Sequence, residues 1–174
     1  MLQLDTARLS LRLIQPEDWR SIQAIWQDFA SSPYAQYDIP HPADTETVRP
    51  KIAKWAQASL GREHLFFVAC LQKQVIGYLA FHRQENGYET GYCFHSRYQG
   101  MGYARESFEA LLPCLAAMGA ERVTAGTALN NLPSVRLLQK LGFRQVGTEQ
   151  VSFYQDENGQ DIVFEGGLFE RPLP

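Results

Sequence analysis

GYCFHSRYQGMGYARESFEALL, residues 91–112, is the stretch whose reading decides the fold. Two glycines, Gly100 and Gly102, flank one methionine immediately before an apolar-periodic segment. Glycine tolerates positive φ and lets another backbone or a ligand approach closely, so this pair at a helix entrance predicts a loop shaped around something. Helix entrances carry unpaired N–H donors and a partial positive charge, and their usual ligand is an anion, most often a phosphate. The segment that follows places Ala104, Phe108, Leu111, Leu112, Leu115 and Met118 at helical spacing, and Gly119 ends it. Pro113 removes one helical hydrogen bond and predicts a kink.

Before this stretch, LFFVACL (65–71), VIGYLAFHR (75–83) and YETGYCFH (88–95) are separated by short polar turns and read as an antiparallel meander. RLSLRLI (8–14) alternates Leu9, Leu11 and Leu13 against Ser10 and Arg12, a strand with one buried face. Helices are expected over 16–29, with Pro16 at the entrance, and over about 45–60, capped by Asp44 or Thr45. Between them, residues 30–44 hold three prolines and two tyrosines and read as a long irregular loop, a kind that is often functional. After the glycine loop come a strand at 122–127, a short helix within NNLPSVRLLQKLGF (130–143), and strands near 144–154 and 161–170 joined by a turn at QDENGQ. The strand at 122–127 should lie parallel to the one before the loop, because a helix connects them. One α+β domain over 1–174 with a mixed sheet accounts for this order.

Composition narrows the function. With 174 residues, 45% hydrophobic and 20% charged, the chain is an ordinary globular one able to bury roughly 70% of its unfolded surface. A net charge of −3 argues against nucleic acid. Asp5 and Arg8 interrupt the first apolar stretch, so no secretory signal is expected, and the longest apolar run, 110–119, is too short for a bilayer. Cys70, Cys93 and Cys114 cannot all pair and show no C-x-x-C spacing, which fits buried thiols in a reducing, cytoplasmic compartment. His41, His64, His82 and His95 show no metal spacing, and DENGQD (156–161) reads as a hairpin turn rather than a calcium loop. A dinucleotide fingerprint would need a third glycine at Arg105, and a P-loop would need a G-K-[ST] ending; both are absent. What remains is R-x-x-G-x-G, from Arg97, Gly100 and Gly102, between a strand and a helix.

That pattern resembles the acetyl-coenzyme A signature, [RQ]-x-x-G-x-[GA], of the GNAT superfamily of N-acetyltransferases. NNLPSVRLLQKLGF resembles the family's second element, N-x-x-S followed by a short helix, and LDTARLSLRLIQPED (4–18) resembles the opening of its Rim-type branch, which includes ribosomal-protein N-terminal acetyltransferases. The resemblance extends over nearly all of the chain. It implies a GNAT fold: a mixed, mostly antiparallel sheet of about seven strands flanked by about four helices. It also implies acetyl-CoA as cosubstrate, with no metal.

On that resemblance, the N–H groups from Gln99 through Gly100, Met101, Gly102 and Tyr103 to Ala104 form the pyrophosphate nest, with Arg97 adding charge. Tyr92, Phe94 and His95 belong to a strand splayed from its parallel neighbour, where the pantetheine arm pairs with backbone and an N–H near Phe94 polarises the thioester carbonyl. Asn131 is expected to hold the arm, and Ser134 to lie near the sulfur; a helix cap is the competing role for Ser134. Many members carry a tyrosine acid where this chain has Leu138. Glu89 is the candidate base, against a solvent-facing strand glutamate, and Glu149 is a weaker one, since the Rim-type glutamate position falls near Phe153. Tyr34, Tyr37 and Asp38 are candidates for the acceptor ammonium, against simple loop packing. The expected activity is acetyl transfer to a primary amine, with a non-catalytic acyl-CoA sensor and a nucleotide-phosphate binder as rivals. The partners expected are acetyl-CoA and an amine acceptor, with a homodimer left open.

Overall fold

A computed structural model describes residues 3–174. Eight strands form one sheet: β1 (Gln3–Asp5), β2 (Leu9–Leu13), β3 (His64–Leu71), β4 (Gln74–Gln84), β5 (Gly87–Phe94), β6 (Arg122–Ala128), β7 (Arg144–Gln155) and β8 (Asp161–Pro172), in spatial order β1-β2-β3-β4-β5-β6-β8-β7. Every neighbouring pair is antiparallel except β5 and β6. The expectation of about seven strands is one short: β1 has only three residues, too few to show alternation. The helices are α1 (Trp19–Ala30), α2 (Thr45–Ala58), α3 (Tyr103–Ala117) and α4 (Leu132–Lys140). Residues 16–18, expected inside the first helix, form a separate 3-10 turn leading into α1, and Ala35–Tyr37 makes another in the long loop. α3 runs unbroken through Pro113.

The side-chain period of two builds two cores from one sheet. On β3, Leu65, Phe67 and Ala69 face α3 and α4, joining Phe81, Tyr88, Phe108, Leu111, Leu115 and Leu138. Phe66, Val68 and Cys70 face the other way, against Ile22, Ile25, Trp26, Val48 and Ile52 of α1 and α2. Covered on both faces, the central strands are apolar throughout, which is why β3 and β4 read as nearly continuous hydrophobic runs.

The functional geometry comes from the β5–β6 pair. These strands pair in parallel only from Gly87↔Arg122 to Thr90↔Ala125. At the closed end a side chain on Gly87 would collide with the Arg122 carbonyl, so the strands touch there because position 87 has none. Beyond Thr90 they part, while residues 91–94 stay paired to β4 and 126–128 to β8. The sheet therefore opens in the middle without losing its outer ladders.

Candidate active site

The parting of β5 and β6 makes a cleft of about 740 Å³ that runs from the start of α3 to the loop after α1. Gly91 and Gly126 stand on its two walls, and a Cβ at either would meet nothing within 4 Å. The backbone on the β5 wall is available. His95 N–H closes on Ile76 O at 3.0 Å, which makes the preceding Phe94↔Gly77 pair a non-hydrogen-bonded one. The N–H and C=O of Phe94 then face away from β4 and toward the cleft. Its carbonyl accepts from Gln99 Nε2 at 2.7 Å, and its N–H is the donor left for a ligand.

The glycine loop sits at the head of α3. Gly100 and Gly102 have φ of +74° and +83°, a region costly for L residues. Gly102 is the N-cap and, having no side chain, cannot cap the first amides; Glu106 N–H, on Gly102 O at 3.0 Å, is the first to close. The amides of Tyr103, Ala104 and Arg105 therefore have no acceptor inside the helix, and the macrodipole adds positive character to them. A lock behind the loop holds it. Glu106 accepts from Thr6 Oγ1 at 2.6 Å, from Arg8 N at 2.9 Å and from Arg8 Nε at 2.7 Å. Arg8 Nη1 reaches Met101 O at 2.9 Å, and its guanidinium lies 4.4 Å from the Tyr103 ring centroid. Burial pushes the Glu106 carboxyl up, but the bonds from Thr6 and Arg8 outweigh it and hold the carboxyl below its usual range.

Of the residues expected to hold coenzyme, Tyr92, Phe94, Gln99, Gly100, Gly102, Tyr103, Ala104, Asn131 and Ser134 line the cleft. His95, Arg97 and Met101 lie outside it. His95 Nδ1 stands 3.7 Å from Asp28 Oδ2, Arg97 is exposed, and Met101 is 54% exposed, its carbonyl turned to Arg8. Asp28 also accepts from Ser96 N and Oγ, both at 2.7 Å, tying α1 to the turn before the loop. Arg105, Arg136 and Lys140, none of them on the expected list, line the cleft beside α3 and α4. Arg105 is paired with Glu109 at 2.7 Å; Arg136 and Lys140 have no ion-pair partner among the described residues.

The two roles weighed for Ser134 separate in the structure. Asn131 is the N-cap of α4, accepting from Ser134 N at 3.4 Å, so the serine side chain has no capping work. Its hydroxyl lies 2.6 Å from Tyr92 OH instead. Cys93 also lines the cleft, but burial first, with Asp38 and Asp28 adding, pushes its thiol up to about 12. A thiol so protonated is no nucleophile at neutral pH.

Glu89, Tyr34, Tyr37 and Asp38 also line the cleft. Glu89 sits one residue before pairing with β6 ends, at the root of the opening, exposed, with Gln84 Nε2 3.3 Å from Oε2. Glu149 and Phe153, from β7, face the same space. The loop carrying Asp38 is pinned by aromatic contacts. His41, 3.2 Å from Asp38 Oδ2, stacks on Trp26 at 4.9 Å and 5°, and Tyr37 meets Phe164 edge-on at 5.2 Å. Packing and lining are thus the same residues' work. The lining carries cations from α3 and α4 (Arg105, Arg136, Lys140) and carboxylates from the loop, β5 and β7 (Asp38, Glu89, Glu149).

Bare backbone between parting strands suits a pantetheine arm, and open amides at a helix start suit its pyrophosphate; this chain is an acetyl-CoA-dependent acyltransferase. The acetyltransferase (GNAT) domain profile matches residues 8–144, and the chain belongs to that family. It is 29% identical over 151 residues to the uncharacterized N-acetyltransferase YnaD of Bacillus subtilis (strain 168), covering 84% of this chain and 85% of that one. It is 33% identical over 104 residues to phosphinothricin N-acetyltransferase of Streptomyces viridochromogenes, covering 57% and 56%. RimL, a ribosomal L7/L12 alpha-N-protein acetyltransferase solved in complex with coenzyme A, superposes with a TM-score of 0.83 at 17% identity, over 99% of this chain and 98% of that one. At that identity the likeness shows the fold. No helix among the described residues is long and apolar enough to cross a membrane, and these residues contain no cluster of three or more His, Cys, Asp or Glu side chains placed to hold a metal ion.

Proposed function

We propose that this enzyme moves the acetyl group of acetyl-CoA directly to a primary amine, of a protein N-terminus or a small molecule, within a ternary complex. The observation that carries the reading is what lines the cleft: open amides at the head of α3 with Arg136 and Lys140 of α4, and the carboxylates Asp38, Glu89 and Glu149 from the loop, β5 and β7. An anionic coenzyme and an ammonium acceptor would both find partners in such a cleft and meet where β5 and β6 part. Gly100, Gly102 and the amides opening α3 hold the pyrophosphate, and Asn131 holds the arm. The Phe94 N–H faces the thioester carbonyl, where a fixed donor lowers the energy of a developing oxyanion.

Glu89 takes the amine proton, directly or through water. An N-terminal amine titrates near 7.7 to 8.0, so a carboxylate that removes its proton increases the fraction able to attack. Asp38, with the faces of Tyr34 and Tyr37, receives the ammonium before that step. The raised Cys93 thiol agrees with direct transfer, since the one cysteine on the cleft wall is held unreactive.

The test is a panel of acceptors incubated with acetyl-CoA: peptides with free and with blocked α-amines, lysine and a polyamine. Products are read by mass spectrometry against coenzyme A released. Acetylation of free amines alone, with one coenzyme A released per acetyl transferred, supports the reading. Coenzyme binding with no acetylated amine, or acetyl left on the enzyme, overturns it.

A further inference from the structure

Leu138 is fully buried in the core, so α4 offers no hydroxyl one turn beyond Ser134. The cleft nonetheless holds a tyrosine, supplied by β5. Tyr92 OH lies 2.6 Å from Ser134 Oγ, and its ring stands edge-on to Phe108 at 5.2 Å and 90°, which fixes where the hydroxyl points. Ser134 is fixed from the other side by the Asn131 cap.

Two hydroxyls in one hydrogen bond can be arranged in two ways. The phenol is the more acidic and the better donor, so the favoured arrangement has Tyr92 O–H donating to Ser134 Oγ. Ser134 then has its own hydrogen free to turn into the cleft. We infer that Tyr92 is a positioning residue for acetyl transfer, orienting the Ser134 hydroxyl so that its hydrogen faces the departing sulfur. This rests on the acetyl-transfer reading above.

The chemistry balances without an acid. The amine nitrogen bonds to the acetyl carbon, the carbon–sulfur bond breaks, and its electron pair leaves on sulfur. The amine proton passes to a carboxylate and then to solvent, and the thiolate later takes a proton from solvent. Ser134 contributes a hydrogen bond rather than a proton, which is enough for a thiol of pKa about 8.5. Tyr92 is half-buried as a residue, but its hydroxyl is desolvated. That desolvation outweighs the hydrogen bond shared with Ser134 and pushes it up to about 12, so it stays protonated and keeps donating.

The experiment measures kcat and KM for acetyl-CoA in the wild type, Tyr92→Phe, Ser134→Ala and the double variant, from about pH 6 to about pH 9. Phenylalanine keeps the ring on Phe108, so Tyr92→Phe should fold with an unchanged melting temperature. Its kcat should fall about tenfold at every pH, the loss of one transition-state hydrogen bond, while KM is unchanged. The double variant should be no slower than Ser134→Ala, because the tyrosine acts through the serine. An unchanged kcat in Tyr92→Phe overturns the inference, as does a double variant whose loss is the product of the two single losses. A loss that changes across this pH range would mean that a titrating group, not a fixed hydrogen bond, carries the effect, and overturns it too. In those cases the active wild type leaves acetyl transfer standing, whereas a wild type that acetylates no amine brings down both.

Discussion

Replacing Gly102 with valine strikes the point where coenzyme loop, helix start and rear lock meet. At φ of +83° an L residue costs about 1–2 kcal/mol, and a β-branched one sits at the upper end. A Cβ would also stand 3.3 Å from Arg8 Nη2, so Arg8 must give way. Its Nη1 bond to Met101 O is then strained; with Arg8 44% exposed, that adds no more than about 1 kcal/mol. A total of about 2–3 kcal/mol lowers the melting temperature by roughly 4–12 °C in a chain of this size. Calorimetric titration of the folded variant should show acetyl-CoA affinity reduced at least about tenfold, or ~1.4 kcal/mol. Gly100→Ala is the comparison. It bears the strain of φ +74°, but its Cβ meets nothing within 4 Å, so it should melt higher than Gly102→Val. Full affinity in folded Gly102→Val would remove the glycine loop from the site, and equal melting temperatures would refute the role given to Arg8.

Three further perturbations separate the parts of the cleft. Glu89→Gln should lower kcat/KM most at low pH, where the acceptor amine is protonated; a pH profile parallel to the wild type would discard Glu89 as base. Arg136→Ala combined with Lys140→Ala should weaken acetyl-CoA binding and flatten its salt dependence while leaving the acceptor's KM alone, and an unchanged salt slope would place both cations away from the phosphates. Asp28→Asn probes the tie to the loop. Burial pushes the Asp28 carboxyl up, but two bonds from Ser96, with the charges of His95 and Arg97, outweigh it and hold it below its usual range. Its stabilisation is therefore present above the usual aspartate pKa of about 3.9 and is lost as pH falls through the lowered native value. The variant should be about 1 kcal/mol less stable at neutral pH, with the gap closing in acid; a gap constant down to about pH 2 would refute the charge-based account.

Local signals in this chain proved readable because each depends on a few adjacent residues. The alternation of Leu9, Leu11 and Leu13 marks β2, and Asp44, accepting from Thr47 N at 2.8 Å, caps α2 as its residue type suggests. The paired glycines before α3 adopt the positive φ their spacing implies. Unreadable features join distant positions. Arg8 and Glu106 stand 98 residues apart, Tyr92 and Ser134 stand 42 apart, and nothing near either partner announces the other. The loop before α2 reads as irregular, but its pinning by His41 on Trp26 depends on a fold that brings residues 26 and 41 face to face. Arg136 and Lys140 look like ordinary exposed helix cations until the parting of β5 and β6 places them on a cleft wall.

Calorimetric titration of acetyl-CoA into the purified wild-type protein, with ATP as the control, tests the central claim most directly. Micromolar binding of acetyl-CoA with none of ATP is the predicted result, since the cleft offers a thioester arm a wall of backbone that a nucleotide alone would leave unused. Failure of acetyl-CoA to bind, or equal binding of ATP, would mean that the strands part for some other ligand.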